Sequence, residues 1–460
     1  MIKSSLENIK SAYFIGIGGV SMSSLALILK SKGIAVKGYD MNHSDNTRML
    51  EENGIEVFYS HKKSNFNGVD TVIYSAAIKS DNPEYEYAIQ NNLTLISRAG
   101  LLKMITSSYK YAVGISGTHG KSTTTGMLSE IFLEYDKSSS ILAGAVIPSI
   151  NSTFKIGTGD RIVFEACEYK DSFLDMIPSL KVVLNCRHDH VDYFKTIDNV
   201  IDSFGKFINT PRDNDLCDDN IALVNLDCEN AYKASLNSSA KIYYFSTEKT
   251  CDFYASKIDM SSGYGKFYLN IKETGESIQI SLKVPGLHNI SNAVAAAGAA
   301  YLTGVPADFI KSGLEKFHGV ARRFEFKGRY NNMCDIVDDY AHHPDEISAT
   351  LKSAKKLNYK RVICVFQPHT YSRTSRLLPE FAKALSIADK VLLCEIYAAR
   401  EVNQSGISSR DLCKLINGAE YYSSFEEIAN RAKEILQEGD LLITMGAGEA
   451  YKAGDMLLNC

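Results

Sequence analysis

Residues 114–124 read Gly114-Ile115-Ser116-Gly117-Thr118-His119-Gly120-Lys121-Ser122-Thr123-Thr124, a set suited to holding phosphate. Glycines let backbone N–H groups close on phosphate oxygens, and a helix N-terminus adds partial positive charge. The apolar run Tyr111 to Ile115 leads in, and a helical stretch beginning near Thr123 leads out. Lys121 then supplies a cation for the β and γ phosphates, and the Ser122 hydroxyl a ligand for Mg²⁺. The usual spacing asks for a glycine where Ile115 stands; Gly114 and Gly117 flank it instead. The chemistry read here is nucleoside triphosphate binding.

Other residues could join it. Glu165 ends the apolar run Arg161–Glu165, and His190 lies in Asn185-Cys186-Arg187-His188-Asp189-His190 after another such run. Ligands of open α/β sheets gather at these C-terminal strand ends, so Glu165 and His190 are candidate Mg²⁺ ligands beside Ser122. Asn289 opens an alanine-rich helix and either pairs with an adenine edge or caps that helix. Arg322 and Arg323 form a basic pair at a hinge, where an arginine either faces solvent or reaches a γ-phosphate on closure. Near the N-terminus, Gly16-Ile17-Gly18-Gly19-Val20-Ser21 follows one strand, and Asp40 ends the next. That is a pyrophosphate-binding pattern or only a tight turn, and Ser21 in the third glycine position weakens the case for NAD. Later predicted strands end in clusters containing Tyr340, His342, His343, His369 and Arg373. Each alone is compatible with a loop role; together they point to a substrate crevice.

These side chains need scaffolds to hold them. Alternating short apolar runs and amphipathic stretches predict an α/β fold in three parts, 1–108, 109–323 and 324–460. In the first, Ala12–Ile17, Ala35–Tyr39, Thr71–Ser75 and Thr94–Ser97 are the predicted strands of a parallel sheet. The second opens at Tyr111 and has strands at Arg161–Glu165, Lys181–Asn185 and Ile221–Asn225, then hairpins between Phe253 and Val284. The third has strands at Cys334–Val337, Arg361–Phe366, Lys390–Cys394 and Leu441–Thr444.

The chain has 460 residues, 45% hydrophobic and 23% charged, which fits several globular domains and argues against disorder. A net charge of −4 argues against a nucleic-acid partner held by phosphate contacts. Ten cysteines without any C-x-x-C pair suit reduced thiols rather than a disulfide framework or zinc motif. Met1–Ser5 lacks a signal-peptide core, and no apolar run is long enough to span a bilayer, so the expectation is a cytoplasmic protein with no membrane partner.

Taken together, these segments resemble the Mur ligases, ATP-dependent amino-acid ligases of peptidoglycan precursor synthesis, over essentially the whole chain. Gly117-Thr118-His119-Gly120-Lys121-Ser122-Thr123 is similar to the family's phosphate loop, Glu165 and Asp189-His190 to its Mg²⁺ motifs, and His288-Asn289 to its adenine motif. The resemblance implies a Rossmann-like N-terminal domain, a central P-loop ATPase-like domain and a C-terminal Rossmann-like domain, with ATP and Mg²⁺ as cofactors. Segments 16–23, 338–344 and 367–374 imply that UDP-N-acetylmuramate and L-alanine are the substrates, in a monomer or homodimer. They assign Gly16, Gly18, Gly19, Ser23, Asp40 and Ser75 to the UDP-sugar, and Tyr340, His342, His369 and Arg373 to the amino acid. Arg323 and residues 117–123 go to ATP; Lys121, His190, His369 and Arg373 are the implied catalytic set. A related ligase that attaches a recycled murein tripeptide shares many of these motifs. Two departures stand out: Cys167 and Tyr169 replace a common Asp and Ser, and Thr370 stands where an arginine is common. A nicotinamide oxidoreductase or a nucleotide-switch protein are the readings from other classes, and the first leaves the phosphate loop without a purpose.

Overall fold

The computed structural model describes residues 6–75, 77–79, 81–189, 193–211, 220–399 and 401–459. Three sheets organise them. The first joins β1 (Ser11–Ile15), β2 (Ala35–Tyr39), β3 (Glu56–Phe58), β4 (Thr71–Tyr74) and β5 (Thr94–Ser97) in the order β3-β2-β1-β4-β5. Every pairing in it is parallel. This is the strand order of a dinucleotide-binding half, with its crevice where the order reverses beside β1.

The second sheet contains β6 (Tyr111–Ser116), β7 (Ser140–Ile147), β8 (Ser152–Lys155), β9 (Arg161–Glu165), β10 (Leu180–Val183), β11 (Ile221–Asn225), β12 (Lys241–Ser246), β13 (Phe253–Asp259), β14 (Tyr264–Ile271) and β15 (Glu276–Pro285). β6 lies between β10 and β9, parallel to both. Its residues are buried almost throughout, as a strand covered by helices on both faces must be, so it reads as an unbroken apolar run. At the far edge β13, β14 and β15 pair antiparallel, and β14 alternates between exposed and buried residues as a half-solvated strand does.

The third sheet, of order β16-β17-β21-β18-β19-β20, comprises β16 (Glu325–Tyr330), β17 (Cys334–Asp339), β18 (Arg361–Phe366), β19 (Lys390–Leu393), β20 (Glu420–Tyr421) and β21 (Asp440–Met445). Only β16 runs antiparallel to its neighbour. The three-part α/β architecture expected from the sequence is borne out. Strands β3, β7, β8, β12, β16 and β20 were not expected. β3, β8, β16 and β20 are short or at sheet edges, whereas β7 and β12 are interior strands that the reading of apolar runs passed over.

Cores are distributed unevenly. One contiguous apolar cluster runs from Phe14, Leu25 and Ile105 of the first unit into Phe173, Phe204 and Phe207 of the second. The third unit packs around its own two clusters, on either face of its sheet. No helix among the described residues is long and apolar enough to cross a membrane.

Candidate active site

The phosphate loop leaves β6 and enters the helix Lys121–Tyr135, which starts two residues before the expected position because Gly120 caps it. Gly120 takes φ +87°, and a Cβ there would lie 2.7 Å from Asn292 Oδ1. Gly117 takes φ +143°, with Leu184 and Asn185 against the same face. Only glycine suits either position. Asn185 straps the loop from β10: its Oδ1 accepts the His119 N–H at 2.9 Å, and its Nδ2 donates to the His119 carbonyl at 2.9 Å.

Lys121 folds back over the loop. Its ammonium donates to the carbonyls of Gly117 and Thr118 and lies 3.0 Å from Glu168 Oε2. Burial alone would lower its pKa, but the charges around it, Glu168 foremost, outweigh that and the net shift is upward. Lys121 is therefore a fixed cation. Glu168, 2% exposed, is a site residue assigned no role from the sequence; its spacing three residues after Glu165 was the available signal. Glu165 ends β9 and accepts the Gly144 N–H at 2.6 Å. Ser122 and Thr123 line the cavity described next, and His190 lies outside the described residues.

A cavity of about 510 Å³ opens between the second and third units, within the range of small-molecule sites. From the second unit it is lined by Ser122, Asn185, His288, Asn289, Asn292 and, at the hinge, Arg323, and from the third by Asp339 and Glu346. Asn289 does not cap its helix: Gly286 does. The Asn289 amide donates to the Pro285 carbonyl at 2.8 Å, and its oxygen accepts from Asn292 at 3.0 Å. The basic pair also divides. Arg322 turns from the cavity to bind Asp338 and the Gly446 and Gly448 carbonyls, while Arg323 lines it. Arg322 takes φ +60°, and both guanidinium groups also lie against the Tyr340 ring.

Glu346, missed by the sequence reading, ties the two units together. It sits in the first turn of the helix Pro344–Ala354, where its Oε2 accepts the His342 and His343 N–H groups and its Oε1 meets His119 Nδ1 at 3.0 Å. Burial pushes its pKa up, but His342, His119 and Arg323 outweigh that and hold it well below the carboxylate range. Its sequence signal was the capping pattern His343-Pro344-Asp345-Glu346. Asp339 beside it is raised to about 6 by burial, against the pull of Arg323.

The third unit gathers the aromatic and basic cluster. Tyr340 and His342 meet edge to face at 5.4 Å, and the His342 and His369 rings are 6.1 Å apart. His369 stacks on Tyr397 at 5.5 Å. Its Nδ1 is buried without a hydrogen-bond partner, and desolvation, with Arg373 and His342 nearby, lowers its pKa to about 4. Arg373 reaches back to Asp189 of the second unit at 3.8 Å, with Nη1 buried and unpartnered. Thr370 takes φ +67°, an unfavourable conformation for a β-branched residue.

At the first unit, Gly16, Gly18 and Gly19 make the turn from β1 into the helix Val20–Ser31, but their amides are not open to a ligand as expected. Gly16 N–H donates to the Tyr39 carbonyl, Gly19 N–H to the Gly16 carbonyl, and Gly18 N–H to Asp40 Oδ2 at 2.8 Å. Asp40 thus holds the turn closed rather than standing clear for a ribose. No side chain caps the first-turn amides of that helix. Ser23 is buried on that helix, and Ser75 follows β4 on the adjacent strand end.

Sequence comparison agrees with this layout. Profiles described as Mur ligase family, catalytic domain, Mur ligase middle domain, and Mur ligase, glutamate ligase domain match residues 11–110, 115–300 and 322–448 respectively. A UDP-N-acetylmuramate–L-alanine ligase of Caldicellulosiruptor saccharolyticus is 42% identical, covering 97% of this chain and 98% of its own. One from Acetivibrio thermocellus is 44% identical, covering 98% and 96%. The crystal structure of the UDP-N-acetylmuramate–alanine ligase of Thermotoga maritima superposes with a TM-score of 0.77 at 25% identity, covering 98% of both chains. With the phosphate loop, the interdomain cavity and matching profiles over all three units, the chain belongs to the Mur ligase family.

Proposed function

We propose that this protein is an ATP-dependent ligase that joins L-alanine to the lactyl carboxylate of UDP-N-acetylmuramate, in the cytoplasmic assembly of peptidoglycan precursors. The observation that carries the reading is the apposition of the phosphate loop on the second unit to the His-Arg cluster on the third, through His119–Glu346 and Asp189–Arg373. Full-length relatives with this named activity support the choice of substrates.

Amide formation from a carboxylate and an ammonium is unfavourable in water, so the acid is activated first. A lactyl carboxylate oxygen attacks the γ-phosphorus, the bond to the β-phosphate oxygen breaks, and ADP leaves. The alanine nitrogen, having lost a proton, then attacks the acyl carbon, and the carbon–oxygen bond to phosphate breaks. Lys121, permanently charged, stabilises charge on the transferring phosphoryl group. Arg373 exchanges Asp189 for the alanine carboxylate. His369, neutral near pH 7 and with a buried unpartnered nitrogen, positions the alanine amine.

The residues also fit Mg²⁺. Ser122 and Glu165 offer hydroxyl and carboxylate oxygens, the donors this ion prefers, and Gly144 leaves room for the Glu165 carboxylate, where a Cβ would lie 2.7 Å from it. Mg²⁺ would be held by Ser122 and Glu165, with His190 as the third proposed ligand, and would supply charge neutralisation on the phosphates.

The test is phosphate release from ATP across a matrix of amino acids and UDP-sugars, with a murein tripeptide as one amine. Release that requires both UDP-N-acetylmuramate and L-alanine is expected. Release with tripeptide but not alanine, or without any UDP-sugar, would overturn the reading.

A further inference from the structure

The N-terminus of the helix Pro344–Ala354 carries two donor groups that the ligation does not use. His343 caps this helix, its Nδ1 accepting the Asp345 N–H at 3.3 Å, and the Asp345 side chain is 69% exposed. His119 of the phosphate loop faces them across the boundary between units. The His119 and His343 ring centroids are 5.5 Å apart. One ligand atom from each of His119, His343 and Asp345 falls within 4.8 Å of the others.

His119 is held as a metal ligand is held. Its Nδ1 lies 3.0 Å from Glu346 Oε1, and its Nε2 is buried with no hydrogen-bond partner. A carboxylate on one imidazole nitrogen fixes the tautomer and leaves the other nitrogen's lone pair free, the outer-shell arrangement found around metal-bound histidines. Desolvation, then the neighbouring His119, lowers the His343 pKa below its ordinary value. Two imidazole nitrogens and one carboxylate oxygen are a borderline-soft donor set. It suits tetrahedral Zn²⁺ with a water in the fourth position, whereas Mg²⁺ prefers oxygen alone. Bonds of about 2.0–2.2 Å require the three atoms to draw closer than they stand. The exposed Asp345 side chain can turn inward to do so.

We infer that His119, His343 and Asp345 bind one Zn²⁺-class ion, which clamps the phosphate loop of the second unit to the leading helix of the third. Two ligands come from one unit and one from the other, so the ion favours the arrangement in which the two are apposed. Its three residues are not those of the Ser122–Glu165 oxygen set, although His119 and Asp345 also line the interdomain cavity.

Zinc alone, without nucleotide, is titrated into the full-length protein against a chromophoric chelator, and thermal melting is followed in parallel. His343→Asn removes the imidazole while keeping a preferred N-cap residue, and Asp345→Asn removes the carboxylate charge. The parent should bind one equivalent and melt at a higher temperature with zinc, by mass action on the folded state. Each variant should bind at least about tenfold more weakly and lose most of the thermal shift. Circular dichroism verifies that both variants are folded. Equal zinc affinity in the parent and both variants, or no stoichiometric binding by the parent, overturns the inference.

Discussion

At the scale of single residues, charge that is fixed before any ligand arrives dominates the site. Lys121 is kept cationic by Glu168, so Lys121→Ala should lower turnover by about a hundredfold or more while the melting curve stays cooperative; near-normal turnover in a folded variant would remove it from the phosphate site. Glu165→Ala should raise the Mg²⁺ concentration needed for half-maximal rate and leave UDP-N-acetylmuramate binding nearly unchanged, as read from a Mg²⁺ titration and calorimetry. Arg373→Ala should raise the KM for L-alanine by about 10- to 100-fold, the worth of a charge-assisted hydrogen bond, with a smaller effect on ATP. Asp339 gives a pH signature. Its pKa rises on folding from the ordinary 3.8 to about 6, so between those values the folded state binds more protons than the unfolded chain. Its contribution to stability is full below about pH 3.8 and is lost as pH rises through about 6, by at most about 3 kcal/mol. Urea melts of Asp339→Asn at several pH values should lack that component; an unchanged pH dependence would show that Asp339 does not titrate there.

At the scale of elements, turns decide what the strands and helices can present. The turn after β1 is closed by its own amides and by Asp40, so its glycines serve close packing more than ligand contact. A Cβ at Gly18 would lie 2.7 Å from Thr47 Cγ2 and 2.8 Å from Asp40 Oδ2. Gly18→Val should therefore displace Asp40 and the start of the helix Val20–Ser31, at a cost of about 1–3 kcal/mol. Calorimetry should register this as weakened UDP-sugar binding with ATP affinity retained; the opposite pattern would exchange the ligands assigned to the first and second units. The phosphate loop shows the complementary design, in which Gly117 and Gly120 create the cradle and Asn185, from a different strand end, holds it in shape.

At the scale of the molecule, the first two units share one apolar core, and the third meets the second through polar contacts that include His119–Glu346 and Arg373–Asp189. Interfaces of the second kind permit relative motion, whereas a shared core resists it. Residues 6–320 should accordingly melt as one cooperative unit by circular dichroism. A fragment ending near Ser108 should be poorly folded, because Leu101 and Ile105 would lose the side chains they pack against. A cooperative melt of the short fragment would show that the shared core is dispensable.

The sequence by itself determined the local features. Apolar runs bounded by glycine and polar residues marked the central strands, because a strand buried on both faces has no choice of composition. The spacing of Gly117, Gly120, Lys121 and Ser122 marked the phosphate loop, because backbone geometry and charge must coincide within one turn. Tertiary structure alone decided which distant groups share a field. That Glu168 takes Lys121, that Glu346 reaches His119, and that Arg322 and Arg323 part company depend on chain segments brought together only by folding. Electrostatic and hydrogen-bonding partners are set by distance in space, and separation along the chain carries little information about it.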